Sequence, residues 1–134
     1  MSETADRHAL YEHAVQCAEA EIDFVDKTYR QLKGKRASIL REDFCGTANV
    51  CCEWVRRGSK RTAFGVDLDP EVLDWGKRHQ LSQLKSKQRE RIKLIRDNVL
   101  TAKTGNVDIV SEEGQGATVV CRFPARPGIA EAAE

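Results

Sequence analysis

The chain has 134 residues, a one-domain length able to bury roughly two-thirds of its unfolded surface. Its 22 Lys and Arg nearly balance 21 Asp and Glu, which argues against the basic field of a nucleic-acid or anionic-membrane binder. There is no apolar run near the ~18 residues of a membrane span, and Met1-Ser-Glu-Thr-Ala-Asp6 lacks the basic-then-apolar pattern of a secretory signal, so the expected compartment is the cytoplasm.

Residues 4–33 read as one long amphipathic helix, with Leu10, Ala14, Ala18, Ile22, Val25, Tyr29 and Leu32 recurring at three- and four-residue spacing. Gly34 is its natural stop. His8 and His13 lie five apart on this helix, not the spacing of a helical metal pair, and read as surface residues. Ala37-Ser-Ile-Leu40 is a short strand, and Thr47 to Arg57 a helix stopped by Gly58. The basic run Arg56-Arg57-Gly58-Ser59-Lys60-Arg61 reads as a solvated connection. Thr62-Ala-Phe-Gly-Val-Asp67 is a second strand. Asp69 is a good N-cap with Pro70 at the first helical position, so a helix should run from Pro70 to about Leu81. Residues 82–91 are polar and suit a short surface helix, and Arg91-Ile-Lys-Leu-Ile-Arg96 alternates at period two as a third strand. This order predicts an α/β fold, a Rossmann-like three-layer sandwich on a mostly parallel sheet.

Beyond Leu100 the texture changes. Thr101 to Asn106 is a loop, and two strand-like runs, 106–111 and 117–123, flank Glu112-Glu-Gly-Gln-Gly116, whose glycines suit a tight turn. The expected division is a helix at 1–34, a ligand-binding half at 35–100, an antiparallel β-hairpin at 105–124, and a disordered, alanine-rich tail at 125–134. The five cysteines (Cys17, Cys45, Cys51, Cys52, Cys121) form no C-x-x-C pair and are odd in number. They read as free, mostly buried thiols, neither a disulfide framework nor a metal site.

Chemistry concentrates at Leu40-Arg-Glu-Asp-Phe-Cys-Gly-Thr-Ala-Asn49 and Phe64-Gly-Val-Asp-Leu-Asp-Pro70. A strand–loop–helix–strand unit with an acidic residue ending its second strand suits an adenosine-containing cofactor. Small residues at Cys45-Gly46-Thr47-Ala48 allow close backbone approach. Glu42 and Asp43 would repel a pyrophosphate but welcome a cationic ligand such as S-adenosylmethionine. Asp67 stands where a carboxylate can accept hydrogen bonds from both ribose hydroxyls. Asp43 is a candidate base on position alone and reads first as a structural or helix-capping carboxylate. Cys45 lacks a locatable histidine partner and reads as a small loop residue. Trp54 and Trp75 read as core packing, with Trp75 able to edge an adenine pocket.

At these residues the chain resembles the class I S-adenosylmethionine-dependent methyltransferases. Glu42-Asp-Phe-Cys-Gly-Thr-Ala48 looks like their first motif, Phe64 to Leu73 is similar to their second, and Leu94-Ile-Arg-Asp-Asn98 looks like their third-strand end. The resemblance covers residues 35–100, with the first helix fitting the family's cover helix. It implies S-adenosylmethionine bound by Glu42, Phe44, Cys45, Gly46, Thr47, Asp67, Leu68, Asp97 and Asn98. Glu42 and Gly46 would lie near the methionine part, Asp67 at the ribose, and Asp97 or Asn98 beside the adenine. Two positions depart from the pattern: Phe44 replaces the motif's first glycine and Ala48 its last, implying a tighter loop. The family's fourth motif and last three strands have no clear counterpart, so the domain reads as truncated. Residues 104–125 resemble instead the terminal hairpin of histidine-kinase-type ATPase domains, although the nucleotide residues of such domains are absent upstream.

Three functions follow as expectations: methyl transfer to an unknown acceptor, a catalytically silent binding module that dimerises through an exposed sheet edge, or an ATP-binding fragment.

Overall fold

The computed structural model describes residues 2–113 and 119–123, with side chains described at 17–112 and 122–123. Helix α1 (Ser2–Lys33) ends where Gly34, at φ 70°, sends its N–H to the Arg30 carbonyl. Then follow β1 (Ile39–Asp43), α2 (Asn49–Arg56), β2 (Thr62–Asp67), α3 (Pro70–His79), a 3-10 turn at Leu81–Gln83, α4 (Ser86–Arg89), β3 (Ile92–Arg96), β4 (Ile109–Glu113) and β5 (Val119–Arg122). Asp69 caps α3 by accepting from the Glu71 N–H at 2.9 Å, with Pro70 behind it.

The sheet order is β3-β2-β1-β4-β5. The first four strands are parallel, and β5 pairs antiparallel with β4 through Val110↔Arg122. Of the turn expected at 112–116, Glu112 and Glu113 belong instead to β4, while residues 114–116 and the disordered tail expected at 125–134 lie outside the described residues.

Strand alternation sorts the side chains into two faces. Leu40, Ala63, Ile92 and Ile109 stand side by side in register on one face. Against them α1 and α2 bring Ile22, Val25, Tyr29, Cys51, Cys52, Trp54 and Val55, all fully or nearly fully buried. Right-handed crossovers from β1 to β2 to β3 keep α2 and α3 on that same face. The chain then returns past β1 to β4 along the opposite face, through a connection with no helix. Arg41, on that face, holds the connection by donating to the carbonyls of Val99 at 2.7 Å and Ala102 at 2.9 Å.

Several local expectations change. The first strand begins at Ile39, not Ala37, and continues through Arg41-Glu42-Asp43 because each charge finds a partner or a buried donor. Leu32, placed on the buried stripe by spacing, is 66% exposed. In the basic run, Arg61 is buried, pairs with Asp26 at 2.7 Å and lies over the Trp54 ring, while Arg57 pairs with Asp23 and Glu53. Trp54 is core, whereas Trp75 is exposed and stacks on His79. No helix among the described residues is long and apolar enough to cross a membrane, and no group there could hold a metal ion.

The fourth strand is placed by one buried carboxylate. Asp108 accepts from the backbone N–H groups of Ser38 at 2.8 Å and Ile39 at 3.0 Å, from the Ser38 hydroxyl and from the Tyr29 hydroxyl. Its own N–H returns to the Ile39 carbonyl at 2.8 Å. Removing the carboxylate strands buried donors from α1 and β1 together. Asp108→Ala should therefore cost about 3 kcal/mol and Asp108→Asn roughly half of that, measured by urea unfolding. A loss within error for Asp108→Ala would show that the carboxylate does not hold β4 in place.

Candidate functional site

The three strand ends at Asp43, Asp67 and Arg96 open onto one rim, beside the point where the strand order reverses between β1 and β4. Such a rim is where open α/β sheets bind ligands. A cavity of about 330 Å³ lies there, lined by Phe44, Asp67, Leu68, Asn98, Val99 and Leu100. Phe44, Leu68 and Leu100 are 51%, 61% and 88% exposed, an unusual concentration of bare apolar surface on so polar a chain. A larger groove of about 460 Å³ runs along the outer side of α1, but its aspartates Asp23 and Asp26 are already paired with Arg57 and Arg61.

The β1–α2 loop takes its shape from three left-handed residues. Phe44, Gly46 and Ala48 have φ of 57°, 56° and 65°. All three are left-handed, although two of them carry side chains. A non-glycine residue there costs about 1–2 kcal/mol. The turn sends Phe44 outward to the cavity and buries Cys45 against β2. A Cβ added at Gly65 would meet Cys45 Sγ at 2.9 Å and Leu94 at 2.8 Å, so only glycine fits beneath the loop. A Cβ at Gly76 of α3 would lie 2.5 Å from the Thr47 carbonyl oxygen, so a second glycine lets α3 seat the loop from the other side. Neither packing role is visible from spacing alone.

Carboxylates at the strand ends tie the loop down. Asp67 Oδ2 accepts from the Gly46 N–H at 2.9 Å, and Oδ1 accepts from the Asp69 N–H at 3.0 Å. With about four lone-pair sites, it retains capacity for a ligand hydroxyl. Glu42 is buried and turned into the fold, where Oε2 accepts from the Cys51 N–H at 3.2 Å and the Cys51 thiol at 3.0 Å. It thereby caps α2, whose N-cap position Ala48 has no capping side chain. Asp97 accepts from the Asn98 N–H at 2.7 Å and the Thr101 hydroxyl at 3.2 Å, fixing the turn that carries Val99 and Leu100.

Of the nine residues singled out by sequence, the cavity gathers Phe44, Asp67, Leu68 and Asn98. Gly46 is linked to it through Asp67. Glu42, Cys45, Thr47 and Asp97 serve behind its wall, with Thr47 against Gly76 and Asp97 beneath the turn. Val99 and Leu100 complete the lining; the only sequence signal for them was an apolar pair following the third-strand end. Asp43, the positional candidate for a base, sits on the opposite face and pairs with Arg41 Nε at 2.6 Å. Cys45 is buried, and His79, the histidine among the described side chains, is stacked on Trp75. A Cys–His couple is therefore not formed there.

No protein-family model matches the sequence, and no curated protein matches it either. Solved structures do match its fold. The plantazolicin methyltransferase BamL, in complex with a triazolic desmethylPZN analog and SAH, superposes with a TM-score of 0.61 at 16% identity, over 81% of this chain and 38% of its own. BpumL, with a monoazolic analog and SAH, gives 0.60 at 10% identity over 81% and 39%. The methyltransferase domain of bacterial CtHen1 gives 0.55 at 18% identity over 71% and 47%. The chain thus spans less than half the length of each of these proteins, and what it shares with them is a methyltransferase-like Rossmann fold. These neighbours lend no support to the histidine-kinase-type reading of residues 104–125. Within the fold, β4 of that segment lies parallel to β1 as the fourth strand of the Rossmann-like sheet.

Two predictions come from this geometry. At position 44 the usual order of stability reverses: Phe44→Gly should exceed Phe44→Ala by about 1 kcal/mol in urea unfolding, because glycine alone adopts φ 57° without strain. Equal stabilities would mean the loop relaxes out of the left-handed region. The thiols beneath the loop are silenced. Burial, then the Glu42 charge, raises the Cys51 pKa well above 9.0, and burial pushes Cys52 up to about 12. In the unfolded chain these thiols ionise near their ordinary value. Their contribution to stability is therefore complete below that value and declines as pH rises towards the folded one. Thiol labelling of the native protein at pH 8 should modify exposed Cys17 and leave Cys51 and Cys52 untouched until denaturant is added.

Proposed function

We propose that the chain binds S-adenosylmethionine through its adenosine part in the cavity above β1, β2 and β3, and transfers the methyl group to an acceptor not yet identified. One arrangement carries this reading: Asp67 at the end of β2, flanked by Leu68 and facing Asn98 and Val99 across the cavity. A carboxylate in that position suits the paired hydroxyls of a ribose, and the apolar walls suit a purine face. Solved neighbours whose descriptions include SAH support the same choice. Asp67 is the charged residue of the cavity lining, which disfavours a phosphorylated ligand and favours a neutral or cationic one.

When bound, the cofactor supplies an electrophilic methyl group on sulfur, and displacement at that carbon depends chiefly on alignment. In this chain Asp67 fixes the ribose end, Leu68 and Val99 exclude water from the base, and Asp97 holds the turn bearing Val99. The ion pair of Asp43 with Arg41 favours a second reading, a scaffold that binds without catalysis and self-associates through an edge of its sheet.

Isothermal titration calorimetry with S-adenosylmethionine and S-adenosylhomocysteine, with ATP as control, tests the assignment. Asp67→Ala, checked for native circular dichroism, should weaken binding about 100-fold, the worth of two hydrogen bonds to a carboxylate. Binding of ATP alone would overturn the reading.

A further inference from the structure

Resting on that cofactor reading, the geometry points to a narrower ligand class: we propose that the cavity recognises an adenine nucleoside and leaves its amino-acid end unrecognised, with Phe44 as the residue that sets this limit. The cavity runs from the end of β3, at Asn98 to Leu100, across the end of β2, at Asp67 and Leu68, and stops at Phe44 on the β1 side. No residue of 45–48 reaches its lining. At about 330 Å³ it lies at the small end of ligand pockets.

Most of the groups that would receive an amino acid's two charges are committed elsewhere. A carboxylate needs backbone N–H donors from the loop and the first turn of α2. There the Cys45 N–H goes to the Val66 carbonyl, Gly46 to Asp67, Ala48 to the Cys45 carbonyl, and Cys51 to Glu42, so the donors left for a carboxylate are those of Thr47, Asn49 and Val50. An ammonium group needs an acidic partner. Glu42 is 3% exposed and bonded to Cys51, and Asp43 is 4% exposed and paired with Arg41. Phe44, held outward by its left-handed backbone, puts an aromatic wall where those groups would otherwise be approached. The ribose and base are thus held by Asp67, Leu68, Asn98 and Val99, while the substituent at the 5′ position passes Phe44 into solvent.

The experiment is calorimetric titration of the whole chain with 5′-methylthioadenosine and S-adenosylhomocysteine, repeated on Phe44→Gly. The native chain should bind the two within about threefold of each other, and Phe44→Gly should tighten S-adenosylhomocysteine relative to methylthioadenosine by about tenfold, the worth of one or two recovered hydrogen bonds. Native affinity for S-adenosylhomocysteine more than about 30-fold above that for methylthioadenosine would overturn the limit set by Phe44 while leaving the cofactor reading intact. An unchanged ratio in Phe44→Gly would also overturn the role of Phe44. Binding of neither ligand to the folded protein would overturn the cofactor reading itself, and this inference with it.

Discussion

The short reversal between β1 and α2 constrains everything above the sheet. Five residues, 44 to 48, must turn a central strand back into a helix that covers it, and they do so with three left-handed backbones. That geometry decides where each side chain goes. Phe44 is thrown outward, Cys45 is pressed into the space that Gly65 leaves open, and the Gly46 N–H is aimed at Asp67. Because Ala48 has no side chain able to cap α2, the cap comes from Glu42 on the preceding strand. The acidic residue at the head of the motif is therefore a structural cap for the very helix that follows the loop.

The same economy explains the electrostatics of the rim. Acidic side chains at the strand ends look from sequence like a reception site for a cation. In the fold most are engaged by neighbours: Glu42 by α2, Asp43 by Arg41, Asp97 by its own turn. Asp67 alone among them both anchors the loop and borders the cavity. A buried or half-buried carboxylate is tolerable only when donors surround it, and a tight turn is rich in backbone donors. Ligand recognition is left to one acid and a set of apolar walls.

Much of this was legible in the residues. Strand β2 falls where alternation places it, from Thr62 to Asp67, and α3 begins at Pro70 behind its Asp69 cap. These signals are local: alternation, an N-cap and a proline act within a few residues. What escaped was set by contacts between distant segments. Arg41-Glu42-Asp43 falls beyond the strand expected at 37–40, and the strand continues through it because Arg41 reaches the carbonyls of Val99 and Ala102. The inward aim of Glu42 is implicit in the alternation, since it shares a face with Leu40. Gly76 gave no sign of importance because its reason, the Thr47 carbonyl, lies on another element. Arg61 looked solvated for the same cause; Asp26 and Trp54 that bury it are remote in sequence.

The bond from Ile39 to Asp108 spans 69 residues, and this has a consequence in time. The first strand of the chain is central to its sheet, yet its β4 side is closed only by one of the last described strands. While the chain folds, the helices and β2 and β3 can gather around β1 through nearer contacts, but one hydrogen-bonding edge of β1 stays open until a long loop closes. Parallel pairing of this kind is slow, and an unpaired central edge is a template for the wrong strand. Asp108, by drawing the Ser38 and Ile39 donors to itself, acts as the latch that ends that exposed interval.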